Sequence, residues 1–353
     1  MAKKAVKYDV EAYLIMLRLA NRSEKTIDGY RKIIVSYAKF LNVPLDEVHN
    51  HLSVLNLLKY AGSRKDKSAN GTKTNLNVLH RYFAINGVEF DQLEFNAVKH
   101  RTVNEQNDKP LDLQTLQKMM DLTDAHGKAI LTFLVSTGCR AGEMCQILLS
   151  DVDGDTINIR NEIAKGHHGG KVYLTSEARD YLDLWIRDRE NYIKIANERA
   201  KPLIIYGGAK SRPEKDERLF AMAYTSMHKI FSRLFNKVDG EQGKYRAKCT
   251  LHSCRKYFRT HAVKTMSIDL VEGLMRHTGY LNSTYVRMSD EEKKMQFRAG
   301  ESVLYITRAD HRMNVNTMNI MKKRIEALEE SLGKSYSEGR NIVMPIPKSQ
   351  VIK

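Results

Sequence analysis

A polar break divides this 353-residue chain into two regions, each with its own apolar patterning. Residues 99–109 contain a single apolar side chain, a valine, and Pro110 follows directly. Stretches of this composition connect domains, because few apolar contacts cross them. We therefore expect a first domain over residues 1–98, a linker over 99–109, a second domain over 110–310 and a C-terminal segment over 311–353.

The first domain is expected to be a compact set of about four helices. Ser23 is placed to cap a helix whose apolar residues recur at three- and four-residue steps up to Leu41. After Pro44 comes a shorter apolar run, and then a polar, basic loop over Gly62–Lys73. A last helix is expected to end at Gly87, since glycine favours helix ends.

The second domain is expected to be mainly α-helical with a small β-sheet. Two helices open it, and the apolar period then changes to alternation over Thr156–Ile159 and again over Lys171–Leu174. The intervening Lys165–Gly170 is rich in glycine, so the two strands should form a hairpin. Helical patterning resumes at Ser176 and continues to about Leu304, with one loop between.

The C-terminal segment is expected to carry an amphipathic helix over Met313–Leu332. Its apolar residues recur at three- and four-residue steps with charges between them. A single short helix of this kind needs a partner, which is either its own domain or a neighbouring protomer. The last residues, Gly339–Lys353, are irregular in pattern.

The balance of charge points to a polyanionic partner. The chain carries 58 Lys and Arg against 42 Asp and Glu, a net charge of +16, and the excess is spread over the first domain, the second domain and the C-terminal segment. Lysine and arginine near phosphates release condensed counterions, so a distributed excess suits a protein that surrounds a nucleic acid. Charge alone does not distinguish such a protein from any other basic protein.

Other classes of protein have weaker support in the sequence. No apolar run reaches the length of a membrane span, and the N-terminus lacks an apolar signal core, so we expect a cytoplasmic protein. The four cysteines form no CxxC pair and are expected to be buried thiols. The chain has no P-loop, no GxGxxG and no carboxylate cluster for two metals, so we expect neither cofactor nor metal.

Three separated segments and one tyrosine hold the residues of greatest chemical interest. Thr137–Glu143 closes one apolar helix and begins another, which places an arginine at a helix junction. Leu251–Arg255 follows about 110 residues later, then Leu274–His277, and Tyr285 stands eight positions beyond that histidine. Each segment alone is a weak signal, and their joint order is the informative feature.

This order resembles the tyrosine recombinase, or phage integrase, family. The family signature is T-G-x-R-x-x-E, a lysine in a β-hairpin, H-x-x-R, L-x-G-H and a tyrosine shortly after, and all five elements occur here in that order. The resemblance is close over 109–310, and the first domain resembles the family's helical core-binding domain. The chain departs from the pattern at Arg276, where the family usually has glycine, and in the spacing from His277 to Tyr285. Tyr285 and its neighbours most resemble integrases of archaeal mobile elements.

The arginines and histidines of these segments fit phosphodiester cleavage without a metal. Two guanidiniums, Arg140 and Arg255, can offset charge on the non-bridging oxygens with bidentate donors. His277 can add a hydrogen bond to the phosphate, and His252, three residues before Arg255, can handle the proton of the attacking group. Glu143, one helical turn from Arg140, is expected to hold that guanidinium in place.

A lysine of the hairpin is expected to protonate the leaving 5′-oxygen, which is the role that the resemblance implies. Lys165, directly before the turn, is the favoured residue, because a loop there can carry its ammonium to the leaving group. Lys171, on the returning strand, is the alternative.

The nucleophile is expected to be Tyr285. A phenol with a pKa of ~10 leaves readily enough for a 5′-hydroxyl to expel it, so a phosphotyrosyl link conserves the energy needed for religation. Two other tyrosines follow His277. Tyr280 lies only three residues past it, which is too close for both side chains to reach the same phosphate. Tyr305 lies in an apolar run that is typical of packing, so Tyr285 is preferred to both.

The sequence thus predicts a site-specific DNA recombinase that integrates or excises a viral or other mobile element. The resemblance implies a homotetramer on two double-stranded DNA sites, exchange of strands through a Holliday junction, and accessory DNA-bending proteins. It places the enzyme in the cytoplasm or nucleoid of a host cell. A type IB topoisomerase and a non-cleaving DNA-binding protein are the alternatives.

Overall fold

The computed structural model describes residues 7–64, 66–88, 110–205, 216–239, 249–277, 288–307 and 327–328 of the chain, with the side chains of 202–205 left out. The chain divides into two compact units, Met1–Gln106 and Asn107–Lys353. Residues 99–109, the expected linker, lie outside the described residues.

The first unit is helical wherever the structure describes it. Each of its α-helices begins after a side chain that accepts a hydrogen bond from a backbone N–H of the first turn, which satisfies a donor that the helix itself cannot pair. These capping residues are Asp9, Ser23, Ser53 and Ser68. The elements are α1 (Val10–Leu19), α2 (Glu24–Leu41), a 3₁₀ turn (Leu45–Asn50), α3 (Val54–Gly62) and α4 (Ala69–Ile85).

The predicted Ser23 cap is confirmed, but the predicted loop over Gly62–Lys73 is too long. Helix α3 continues to Gly62, and α4 begins at Ala69 because the Ser68 hydroxyl caps it. The prediction missed the start of α4 because a polar, basic composition is also typical of loops.

Tyrosines build much of the core of the first unit. Tyr13, Tyr37, Tyr60 and Tyr82 are all buried, and the rings of Tyr37 and Tyr60 meet edge to face with centroids 5.3 Å apart. Burial, followed by the neighbouring Tyr30, raises the pKa of Tyr13 to about 12. These phenols therefore stabilise the unit by packing.

The second unit is built around one apolar helix, against which other helices pack. Helix α6 (Ala125–Thr137) is buried from Ala129 to its end and packs against α8 (Ser176–Ile205) and α10 (Leu251–Ala262), which places its C-terminal end inside the unit. The helices are α5 (Leu113–Asp121), α6 (Ala125–Thr137), α7 (Ala141–Met144), α8 (Ser176–Ile205), α9 (Tyr224–Val238), α10 (Leu251–Ala262), α11 (Ile268–Met275) and α12 (Asp290–Gly300), with 3₁₀ turns at Leu149–Asp151 and Glu301–Leu304.

A three-stranded antiparallel sheet carries the expected hairpin. Its strands β1 (Val152–Asp153), β2 (Thr156–Ile159) and β3 (Gly170–Tyr173) pair in that order. The alternation over β2 is confirmed, since Ile157 and Ile159 are buried whereas Thr156 and Asn158 are not. The mainly helical fold with a small sheet agrees with the prediction.

Helix α12 is attached to this sheet by polar contacts. The Tyr173 hydroxyl on β3 donates to the backbone carbonyl of Asp290 at 2.8 Å. In the turn between β1 and β2, the Asp155 carboxylate pairs with Lys294 at 2.6 Å and with Arg298. These contacts therefore hold α12 against the sheet.

Most of the predicted C-terminal helix, Met313–Leu332, lies outside the described residues, and only residues 327–328 are seen as helical. Within the parts that the structure describes, no helix combines the length and apolar character needed to cross a membrane.

Candidate active site

A glycine turn brings the two predicted arginines together. Helix α6 ends at Gly138, whose φ of 59° lies in the left-handed region that favours glycine. A Cβ at this position would lie 2.4 Å from the ring of Phe258 on α10. The missing side chain thus lets the end of α6, followed by Arg140, approach the helix that carries Arg255.

Arg255 is fixed deep in the unit. It is 2% exposed, and its guanidinium donates to the carbonyls of Gly138 and Met275, each at 2.6 Å. Burial, followed by the charges of Arg140 and Arg276, lowers its pKa to about 10. A group with that pKa is still cationic near neutral pH, and the mutual repulsion of these guanidiniums favours binding of an anion between them.

Glu143 connects three residues of the site: its expected partner Arg140, and in addition Arg276 and Lys165. Its carboxylate accepts hydrogen bonds from the guanidinium of Arg140 at 2.9 Å and from the backbone N–H of the same residue at 3.1 Å. It also accepts from the Arg276 guanidinium at 2.5 Å and from the backbone N–H of Lys165 at 3.3 Å. Burial opposes its ionisation, but the charge of Arg276 and the hydrogen bonds from Arg140 outweigh burial and lower the pKa of Glu143.

His277 is oriented by a carboxylate that the sequence did not point to. Its Nδ1 contacts the Glu272 carboxylate, which also accepts from Arg259 Nε at 2.6 Å. Glu272 is only 4% exposed. Burial raises its pKa, but the hydrogen bonds from His277 and Arg259 prevail and lower it. With Nδ1 engaged, Nε2 is the ring nitrogen left to face a substrate. The one available signal was a lone glutamate inside the apolar run of α11.

His252 lies in the first turn of α10, one helical turn before Arg255, and its side chain is exposed. The helix thus carries a solvent-accessible histidine three positions before a buried arginine.

The two hairpin lysines differ in their surroundings. Lys171 on β3 forms an ion pair with Asp290 at 2.9 Å, and this hydrogen bond raises the pKa of its ammonium. Lys165 is exposed, and its ammonium has no ion pair with any residue that the structure describes. The backbone around it is unusual, because Gly166 and His167 both have positive φ.

Of the three tyrosines considered, Tyr285 and Tyr280 lie outside the described residues. Tyr305 is described and half-buried, and its hydroxyl donates to the Glu301 carboxylate at 2.7 Å. Among the described residues, no group of three or more His, Cys, Asp or Glu side chains could hold a metal ion.

The structure therefore joins Arg140, Glu143, Arg255 and the backbone of Lys165 in one cluster, with His277 directly after Arg276. Half-buried Arg140 at the start of α7 and buried Arg255 within α10 thus lie close to the hairpin that carries Lys165, an arrangement of cations that suits a phosphate group. Comparison with known proteins identifies the family.

The chain belongs to the phage integrase family of tyrosine recombinases, because the family's model matches residues 109–292, more than half of the chain. The chain is 25% identical to TnP I resolvase of Bacillus thuringiensis over 274 residues, which cover 74% of this chain and 88% of the resolvase. It is 21% identical to a tyrosine recombinase of Thermosipho africanus (strain TCF52B) over 298 residues, which cover 80% of this chain and 94% of that protein.

Solved structures share the fold. Lambda integrase in a dimer bound to a COC′ core site matches with a TM-score of 0.54 at 15% identity, over 83% of this chain and 95% of that one. Lambda integrase in a tetramer bound to a Holliday junction matches with a TM-score of 0.51 at 14% identity, over 79% of each chain. The predicted family and fold are confirmed.

Proposed function

We propose that this recombinase integrates or excises a mobile element, and that Tyr285 forms a 3′-phosphotyrosyl link to DNA as the intermediate. The observation that carries the proposal is the pairing of buried Arg255 with Arg140 across the Gly138 turn. A buried guanidinium and a partly exposed one that repel each other provide a site for a dianionic, five-coordinate phosphorus transition state.

In the proposed reaction, the phenol oxygen of Tyr285 attacks the phosphorus while the bond to the 5′-oxygen breaks. His252 accepts the phenolic proton, and the Lys165 ammonium donates a proton to the departing 5′-oxygen. Arg140, Arg255 and the Nε2 of His277 hydrogen-bond the non-bridging oxygens. Religation is the reverse, with a 5′-hydroxyl from the partner duplex as the nucleophile.

The contacts of the two lysines support Lys165 as the general acid. An acid must approach the leaving group, and the ammonium of Lys171 is already engaged by Asp290. The backbone of Lys165 is tied to Glu143, which also holds Arg140, so the phosphate-binding and proton-donating groups share one anchor.

We further propose that residues 1–98 form a core-binding domain, that 99–109 are a linker, and that 110–310 form a catalytic domain, with both domains contacting the phosphates of duplex DNA. The net charge of +16 supports binding to a polyanion. The active form would be a homotetramer on paired sites in the cytoplasm, with residues 311–353 docking on a neighbouring protomer or on their own domain. The likeness to an integrase tetramer on a Holliday junction supports the tetramer.

A covalent trap tests the proposal. A duplex is selected from a randomised pool by its affinity for the protein and is nicked near each candidate cleavage position. Cleavage then releases a short strand that diffuses away, so religation cannot occur and the covalent adduct accumulates. We expect a 3′-phosphotyrosyl adduct that Tyr285→Phe abolishes and the matched control Tyr305→Phe retains. An adduct that persists in Tyr285→Phe would contradict the assignment, and efficient relaxation of supercoiled plasmid without the selected site would favour a topoisomerase.

A further inference from the structure

Arg276 occupies a backbone conformation that suits glycine. It ends α11 with φ 54° and ψ 47°, in the left-handed region, and it stands where the family signature usually has glycine. A residue with a Cβ is disfavoured there, so the arginine must gain something from its surroundings.

Its side chain is buried rather than extended into solvent. Arg276 as a whole is 8% exposed, and its guanidinium contacts Glu143 and donates to the carbonyl of Leu274 at 3.1 Å. Its Cδ lies 3.8 Å from where a Cβ on Gly170 would be, so the side-chain stem passes along the start of β3. Arg276 thereby connects α11, the hairpin and the helix junction after α6.

The contacts of Glu143 show what this connection does. One carboxylate oxygen accepts from the Arg140 guanidinium and from the Lys165 backbone, and the other accepts from the Arg140 backbone and from Arg276. Because one carboxylate is divided between two guanidiniums, Arg140 is only partly neutralised. Arg140 therefore keeps positive charge for a phosphate while its geometry stays fixed.

We propose that Arg276 is a positioning residue of the recombinase. It binds Glu143 so that this carboxylate holds Arg140 and the Lys165 loop without neutralising the phosphate site. The inference rests on the proposed function for its catalytic consequence, and its structural part can be measured without DNA cleavage.

Two substitutions separate the effect of losing the Arg276 guanidinium from the effect of its left-handed backbone conformation. Arg276→Gly suits the left-handed conformation and leaves a space beside Glu143, whereas Arg276→Met keeps the stem and fills that space. Asn42→Gly is the matched control, since Asn42 has the same left-handed conformation (φ 56°) at the exposed end of α2 in the other unit.

We expect both Arg276 variants to cleave a selected site about 10²-fold more slowly than wild type in single turnover at saturating DNA, the effect of misplaced reacting groups. The dissociation constant for DNA should stay within about threefold, because the Arg276 side chain is buried against Glu143 and DNA affinity depends on many exposed cations. Guanidinium ion at millimolar concentration should restore cleavage in Arg276→Gly and not in Arg276→Met. Wild-type rates in Arg276→Gly, or a loss that guanidinium does not restore, would overturn the proposal.

Hydrogen–deuterium exchange of residues 161–170, measured without DNA, provides the independent check. Both Arg276 variants should exchange faster than wild type in this segment, and Asn42→Gly should not. Unchanged exchange refutes the link from Arg276 to the Lys165 loop. If wild-type protein forms no adduct but the exchange result holds, the proposed function has failed and the positioning role remains.

Discussion

Replacing Glu272 with glutamine should show how much of the chemistry depends on the orientation of His277. The substitution keeps the size of the side chain and an oxygen that can accept from Nδ1, but it removes the negative charge. It also removes the ionic partner of Arg259, whose side chain is half exposed.

The magnitude follows from the burial of this carboxylate. Glu272 is 4% exposed, so its contact with His277 is poorly screened, and a hydrogen bond to a charged group contributes about 1.5–3 kcal/mol. Glutamine still accepts from Nδ1, and a neutral hydrogen bond contributes about 0.5–1.5 kcal/mol, so the substitution removes about 1–1.5 kcal/mol. If that contact serves the transition state, cleavage slows about 5- to 13-fold, because ~1.4 kcal/mol corresponds to a factor of ten.

The assay is single-turnover formation of the covalent adduct on a selected DNA site, followed across pH. Arg259→Gln is the matched control, because it removes the other partner of Glu272 and leaves the contact with His277 intact. We expect the control to cleave within about threefold of wild type, as for other half-exposed ion pairs. Equal rates for Glu272→Gln and wild type at every pH would refute the positioning of His277 by this carboxylate.

Three further predictions follow from the same geometry. Lys165→Ala should lower the rate of cleavage about 10²–10⁴-fold, and a substrate with sulfur at the 5′-bridging position, which leaves without a general acid, should restore it. Lys171→Ala should cleave nearly normally. The reverse pattern would make Lys171 the acid. Gly138→Ala would place a Cβ 2.4 Å from a ring carbon of α10 at positive φ, and should lower the free energy of unfolding by about 1–3 kcal/mol in denaturant titrations, so an unchanged midpoint would contradict the close approach. Glu143 and Glu272 have folded pKa values below their ordinary 4.5. Each therefore contributes stability that is present above about pH 4.5 and is lost as the pH falls through the lowered pKa. The denaturation midpoint should decrease on acidification, and it should decrease less steeply in Glu143→Gln.

Local patterns in the sequence predicted the elements well. The alternation over Thr156–Ile159 and the cap at Ser23 depend on neighbouring residues alone, so both could be recognised before any tertiary contact was known. The loop over Gly62–Lys73 was predicted too long because a basic composition resembles a loop, while a single hydroxyl at Ser68 starts the helix.

The candidate site residues were also predicted only in part. Arg140 and Arg255 were selected from motif order, and the structure adds that a glycine without a side chain lets their helices meet. The exposed position of Lys165 and the ion pair of Lys171 could not be read from the hairpin pattern, because Asp290 lies 119 positions further along the chain.

The sequence by itself determined the family, the mainly helical fold with its small sheet, and the residue types available for phosphate chemistry. Capping and periodicity are properties of short segments, and the order of motifs along the chain does not depend on tertiary contacts. Only the tertiary structure decided that Glu272 orients His277 and that Arg276 reaches Glu143 from 133 positions away. Buried charges are stable only where partners converge, and that convergence depends on which helix ends the packing of α6 brings together.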